Sequence, residues 1–361
     1  MTALISLCVM IVAIYILSVI TDEFFITSLD RIAVRWKMPP SVAGASLMAV
    51  GSSAPELSIA LFSLFREGGA HSDVGIGTIV GSAVFNILVI TGVSAIIREA
   101  RITLPAVVRD TVFYLGSILV LMIVFWDGTI TAQECLIFLS LYLMYLAFLF
   151  FIPMGTEPEA APDEADDDES DETEKSQAGG NPDGGGRLRQ INTAIVRAVS
   201  RLTGDAEVTY MRTFGVSILF IIGLSWILVD TAVIFADAVG IPPLVVALTL
   251  LAGGTSAPDL ISSVVVARQG RGSMAVANAI GSNIFDILVG LGLPWLLAIL
   301  FMGKTAIEVG TGDLMLSVLI LMSTVVVLFV FLYTDRLLSK KEGWGLVGLY
   351  GLYVIWTVLA G

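Results

Sequence analysis

Two short stretches of this chain carry an acid where an acid is expensive. Gly51-Ser52-Ser53-Ala54-Pro55-Glu56 lies inside a long apolar segment, and 203 residues later the chain repeats the device as Gly254-Thr255-Ser256-Ala257-Pro258-Asp259. Proline has no N–H, so in a helix Pro55 and Pro258 leave the carbonyls of Gly51 and Gly254 without their usual partners. In lipid such a carbonyl is tolerated only if protein, water or an ion satisfies it. Hydroxyls flank each break, from Ser52 and Ser53 in one stretch and Thr255 and Ser256 in the other. Carboxylate, hydroxyl and carbonyl oxygens together form the ligand set of hard cations such as calcium and sodium, and no His or Cys stands nearby to suit zinc or copper.

A second pair of segments follows the first. Gly81-Ser82-Ala83-Val84-Phe85-Asn86-Ile87 matches Gly281-Ser282-Asn283-Ile284-Phe285-Asp286-Ile287 at an offset of 200. Small residues let membrane helices approach closely, which is one use for Gly81, Ser82, Gly281 and Ser282. Asn86 and Asp286 stand four residues beyond their serines, one helical turn along the same face. A carboxylate at a helix centre costs about 2.5–3.5 kcal/mol, so Glu56, Asp259 and Asp286 together cost about 8–10 on an additive scale. No Lys or Arg shares their depth in these spans. Bound cations or protons must therefore answer the charge.

The elements that position these residues are legible from hydropathy. The chain has 361 residues, 56% hydrophobic and 14% charged, with a mean hydropathy of +0.91. Soluble domains carry about 25% charged residues, and apolar runs of about 20 residues are the signature of transmembrane helices. The expected fold is an all-α polytopic membrane protein with ten transmembrane helices arranged as two inverted five-helix repeats. The spans are placed at 3–21, 41–65, 74–97, 104–126, 131–154, 211–236, 241–267, 273–302, 309–334 and 343–360. The run from Ala3 to Ile20 has no basic residue before it and is read as a retained first span rather than a secretory signal.

Residues 1–154 form the first repeat, 155–210 a linker and 211–361 the second repeat. Met38-Pro39-Pro40 and Ile241-Pro242-Pro243 extend the match upstream of the acid motifs. An odd number of spans per half inserts the second half upside down, and an inverted repeat with a site where the halves meet is a transporter architecture. With both termini outside, the inside loops hold 17 Lys and Arg residues against 2 outside, Arg66 and Lys304. The positive-inside rule therefore predicts a multi-pass cell-membrane protein with its linker in the cytoplasm.

The net charge of −13 comes largely from that linker, since 11 of the 32 acids lie between Glu157 and Glu174. Its acidic and Gly-rich part, 155–186, has too little apolar content to fold alone and lacks an EF-hand pattern. Over 187–203, Ile191, Ile195, Val199 and Leu202 share a helical face beside Arg187, Arg189, Arg197 and Arg201, which predicts a helix lying on the inner membrane surface. Cys8 and Cys135 read as packed thiols with no disulfide or metal spacing, and His71 as a loop residue.

The paired motifs resemble the two alpha-repeats of the calcium/cation antiporter superfamily, in particular its sodium/calcium exchangers, and the resemblance covers all ten expected spans. It implies a sodium/calcium antiporter that exports calcium in exchange for sodium by alternating access. It also implies a cation cluster with Glu56 and Asp259 as the central calcium ligands. Ser53, Ser82, Ser256 and Ser282 would supply hydroxyls, Ser52 and Thr255 backbone or hydroxyl oxygens, and Ala49 and Ala252 backbone carbonyls for sodium, with Asn86 and Asp286 completing the ring. Ala267-Arg268-Gln269-Gly270 and the segment from Gly281 to Trp295 look most like the potassium-dependent and prokaryotic branches. Those branches carry an acid where Asp286 stands, which leaves potassium open as a third transported ion.

The expected partners are therefore inorganic cations, calcium and sodium first, and the lipid bilayer, with no nucleic acid; nothing in the sequence sets an oligomeric state. The alternatives are a potassium-dependent sodium/calcium exchanger, a proton/calcium exchanger, whose usual Gly-Asn-x-x-Glu type of motif is missing, and a cation channel lined by acids. An enzyme is not expected, because no other catalytic group accompanies the acids.

Overall fold

The computed structural model describes residues 1–37, 49–66, 71–101, 104–151, 186–203, 209–268, 272–309, 311–335 and 337–360. The described residues are helical apart from four short strands and connecting turns. The helices are α1 (Thr2–Arg35), α2 (Ala49–Ser52), α3 (Ala54–Phe65), α4 (Ser72–Ile97), α5 (Leu104–Val124), α6 (Ala132–Phe151) and α7 (Gly186–Thr203) in the first part of the chain. The second part contributes α8 (Tyr210–Val239), α9 (Pro243–Thr255), α10 (Ala257–Arg268), α11, which runs on from Gly272–Phe285 to Gly292–Met302, α12 (Thr311–Asp335) and α13 (Lys340–Ala360). Among the described residues, 8 helices are long and apolar enough to cross a membrane, or 9 if α9 and α10 count as one span bent by 43°. The span expected at 41–65 is described only as α2 and α3, and Met38-Pro39-Pro40 and most of the acidic linker lie outside the described residues.

Helix ends follow local chemistry. The first helix runs to Arg35 rather than ending near residue 21, because Phe24, Phe25, Leu29 and Ile32 continue its buried face beyond the acids Asp22 and Glu23. Gly240 (φ 81°) and Gly303 (φ 63°) close α8 and α11 in the left-handed conformation that glycine adopts without penalty. Helices α6 and α13 open with the same reciprocal cap. Thr131 N–H and Oγ1 donate to Glu134 Oε2 at 2.7 and 2.8 Å, and Ser339 N–H and Oγ donate to Glu342 Oε2 at 2.8 and 2.7 Å.

The core is built on α4 and α11. Both are buried nearly all round, as expected of helices that are apolar on every side and surrounded by others. They cross one another, and α3, α5, α6, α9, α10, α12 and α13 pack around them. Helices α1 and α8 form a pair that meets the rest of the bundle largely through α3 and α9. Helix α7 lies against α1 and α8, with Val199 buried in that contact. The strands join loops from different halves of the chain: Ala100–Arg101 pairs antiparallel with Leu337–Leu338, and Thr129–Thr131 pairs with Ala306–Glu308.

Candidate ion-binding site

The acid motifs are helix breaks. Ser53 (φ −93°, ψ 7°) separates α2 from α3, and Ser256 (φ −86°, ψ 0°) separates α9 from α10. Pro55 occupies the first turn of α3, where its missing N–H costs least. Pro258 holds the same place in α10. Glu56 and Asp259 thus sit in the first turns of new helices, where the backbone dipole favours negative charge. The Gly-Ser segments run along α4 and α11. At Asn86 and at Asp286 each helix loosens into a π-type segment, Asn86–Ile90 and Asp286–Leu291, a distortion that recurs at functional sites.

The fold brings most of the expected residues together. Glu56 is 2% exposed and faces the hydroxyls of Thr255, Ser82 and Ser256. Ser82 Oγ and Ser256 Oγ share a 2.7 Å hydrogen bond that joins the two motifs across the halves. Asp286 faces Ser53 and lies in electrostatic reach of Glu56 and Asp259. Asp259 is only half-buried and also senses Asp22, which is exposed on α1. Among the described residues no three acidic, histidine or cysteine side chains stand close enough to share one metal ion, so any cation here relies on hydroxyl and amide oxygens as well as carboxylates.

Other expected ligands also bond within their own helices. Thr255 Oγ1, which faces Glu56, lies 3.1 Å from the Leu251 carbonyl. Ser52 Oγ and Thr255 Oγ1 also reach the carbonyls of Ala49 and Ala252, at 3.4 and 3.3 Å. The same carbonyls accept the N–H groups of Ser53 and Ser256 at 3.1 and 3.2 Å. Ser282 Oγ turns back to the Ala279 carbonyl at 3.3 Å.

Three buried oxygens at this meeting point have no hydrogen-bond partner: Glu56 Oε2, Asn86 Oδ1 and Asp286 Oδ1. Leaving one buried acceptor unmet costs about 1–3 kcal/mol, more when it is charged. All three are acceptors, so the groups that can answer them are cations or donated protons.

Asn283 is a residue of this site that motif matching passes over. It is fully buried, accepts from Asn86 Nδ2 through its Oδ1 at 2.9 Å, and donates through Nδ2 to the Ala83 carbonyl at 3.1 Å and to Tyr114 Oη at 3.0 Å. A polar residue standing opposite Ala83 in the repeat was the available signal. A second unanticipated pair is Arg66, at the end of α3, with Asp230 of α8, which form an ion pair.

The chain matches the family described as "Sodium/calcium exchanger protein" over residues 5–151 and 209–359. It therefore belongs to that family, and it is a sodium/calcium antiporter and not an enzyme. Among curated relatives, human sodium/potassium/calcium exchanger 4 is 28% identical over 496 aligned residues, covering 96% of this chain and 79% of that protein. Human sodium/potassium/calcium exchanger 2 is also 28% identical, over 95% of this chain and 76% of that protein. Among solved structures, the sodium-calcium exchanger NCX_Mj superposes with a TM-score of 0.58 at 21% identity, covering 98% of this chain and 99% of that one. The H+/Ca2+ exchanger CAX superposes with a TM-score of 0.66 at 15% identity, covering 98% and 81%. These structural likenesses establish a shared helical membrane fold.

Proposed function

We propose that this antiporter carries calcium and sodium alternately on one central site, with Glu56 and Asp259 as the charges both ions compete for. The supporting observation is the set of unpartnered buried oxygens of Glu56, Asn86 and Asp286 beside the Ser82–Ser256 bond. Two carboxylates are neutralised by one calcium or by two sodium ions. Ser53, Ser82, Ser256, Ser282, Ser52, Thr255, Ala49 and Ala252 are the further oxygens proposed to complete the shells. Competition for shared carboxylates gives exchange if the site crosses the membrane only when one set is filled. Inward sodium flow then drives calcium out.

Ten spans in two inverted halves suit this cycle. Supporting the inversion, each strand pair joins the loop before the fourth span of one half to the loop after the fourth span of the other, so the two pairs are counterparts of each other, and the two reciprocal helix caps lie 208 residues apart. The Lys and Arg distribution supports a linker and α10–α11 turn on the inside, with both termini outside.

The test is calcium-45 uptake into proteoliposomes under an imposed sodium gradient. Glu56→Gln and Asp259→Asn are each expected to abolish uptake while the protein still purifies as a single species. Normal exchange in either variant removes the assignment. The same assay with a proton gradient alone separates proton from sodium drive, and single-channel currents far above antiporter turnover would favour a pore.

A second reading concerns potassium. The two 28% identical curated relatives above are sodium/potassium/calcium exchangers, and Asp286 adds an acid where the first half has Asn86. Potassium answering that charge predicts wild-type uptake that requires potassium and an Asp286→Asn variant that does not. Wild-type uptake indifferent to potassium removes this reading.

A further inference from the structure

We infer that Asn283 is a positioning residue that turns the amide of Asn86 so that its oxygen, and not its nitrogen, faces the ion. The inference rests on the reading of Asn86 as an ion ligand and adds the reason why an amide can serve there.

An asparagine side chain is nearly symmetric in shape and opposite in chemistry at its two ends, since its oxygen attracts a cation and its NH2 repels one. Which end faces a site must be fixed by the surrounding hydrogen bonds. Here the chain of bonds starts from a group that cannot be reversed. The backbone carbonyl of Ala83 only accepts, so the Asn283 atom 3.1 Å from it is the NH2 nitrogen. That places Asn283 Oδ1 at the other end, toward Asn86. An oxygen there demands a donor, so Asn86 presents Nδ2 to it at 2.9 Å. Asn86 Oδ1 is then the end left over, buried and unpartnered. Tyr114 Oη takes the second hydrogen of the Asn283 NH2 at 3.0 Å, which holds the Asn283 side chain in plane from the far side. Both amides are at most 1% exposed, so water does not compete for these bonds.

The repeat explains why the device occurs once. Asp286 stands where Asn86 stands in the first half, and a carboxylate has two equivalent oxygens that need no orienting. The residue that would orient it is correspondingly Ala83, which has no polar side chain. The amide has an orienting partner and the carboxylate has none.

The experiment measures calcium-45 uptake in proteoliposomes as half-saturating calcium and maximal rate, for wild type, Asn86→Ala, Asn283→Ala, Asn86→Asp and the double variant Asn86→Asp/Asn283→Ala. Freeing the Asn86 amide to present its NH2 loses one ligand oxygen, so Asn283→Ala is expected to raise half-saturating calcium roughly 10-fold, with the loss read in affinity rather than in maximal rate. With aspartate replacing Asn86 the orientation no longer matters, so adding Asn283→Ala to Asn86→Asp is expected to cost no further affinity. An equal loss in both backgrounds overturns the inference, because Asn283 would then act through general packing. So does a failure of both Asn283 variants to fold while Asn86→Ala folds. Unchanged affinity in Asn86→Ala instead removes Asn86 from the ion site and takes the underlying reading with it; a loss in Asn86→Ala with none in Asn283→Ala removes the orientation alone.

Discussion

Helix α3 is packed along α8 and pinned to it by Arg66 and Asp230, whereas α10, which carries the equivalent acid, has no comparable packing against α1 among the described residues. The surroundings of the equivalent residues differ in the same sense. Glu56 is buried while Asp259 is half-buried and within reach of the exposed Asp22. Thr78 is buried while Asn278, its counterpart, is exposed. A Cβ on Gly81 would run into the Leu248 backbone carbonyl and stand 2.8 Å from Ala252 Cβ, while among the described residues one on Gly281 would meet nothing within 4 Å; Ala45, the counterpart of Leu248, lies outside the described residues. Ser82 bonds across the halves, and Ser282 bonds back to its own helix. Among the described residues, two copies of one sequence device therefore sit in differently packed seams. With the orientation proposed above, the second of these seams is expected to face the cytoplasm.

The largest effect that could break this contrast is steric. Gly81→Ala forces the α4–α9 contact apart against backbone atoms and is expected to destabilise the protein by about 1–3 kcal/mol, with Gly281→Ala within about 0.5 kcal/mol of wild type. Thermal unfolding in detergent measures both, and equal losses would mean that the two seams are equally tight. Chemical access comes next. In a background lacking Cys8 and Cys135, a water-soluble maleimide should label Asn278→Cys at least roughly tenfold faster than Thr78→Cys, since opening a packed position costs at least about 1.4 kcal/mol. Equal labelling erases the distinction between seams. The smallest effect is on the serines. Ser82→Ala strands the Ser256 hydroxyl and should weaken calcium half-saturation by about 5-fold, from a cost of about 1 kcal/mol, and Ser282→Ala should weaken it less. The reverse order would show that Ser282 leaves its backbone bond when ions bind.

Much of the candidate site was legible from the chain because its signals are local. A proline behind small residues breaks a helix wherever it lies, and an acid repeated at membrane depth announces that something neutralises it. The helical membrane fold followed from apolar runs in the same way. What escaped reading depends on which helices cross. Asn283 gains its meaning only from Asn86, Ala83 and Tyr114, which are 169–200 residues away. Arg66 read as a loop cation until α8 brought Asp230 to it. The length of the first helix was missed because Asp22 and Glu23 look like a span's end, while the aromatic residues after them carry on its buried face. The difference between the two seams has no local sequence signal at all, because the same motif occupies both.

The strand pairs carry a last consequence. Each joins a loop of the first half to a loop of the second, and α1 lies on α8 as α4 lies on α13. The halves are interleaved rather than set side by side. None of these contacts is made by the covalent connection between the halves, so a cut within 155–185 is expected to leave them in place.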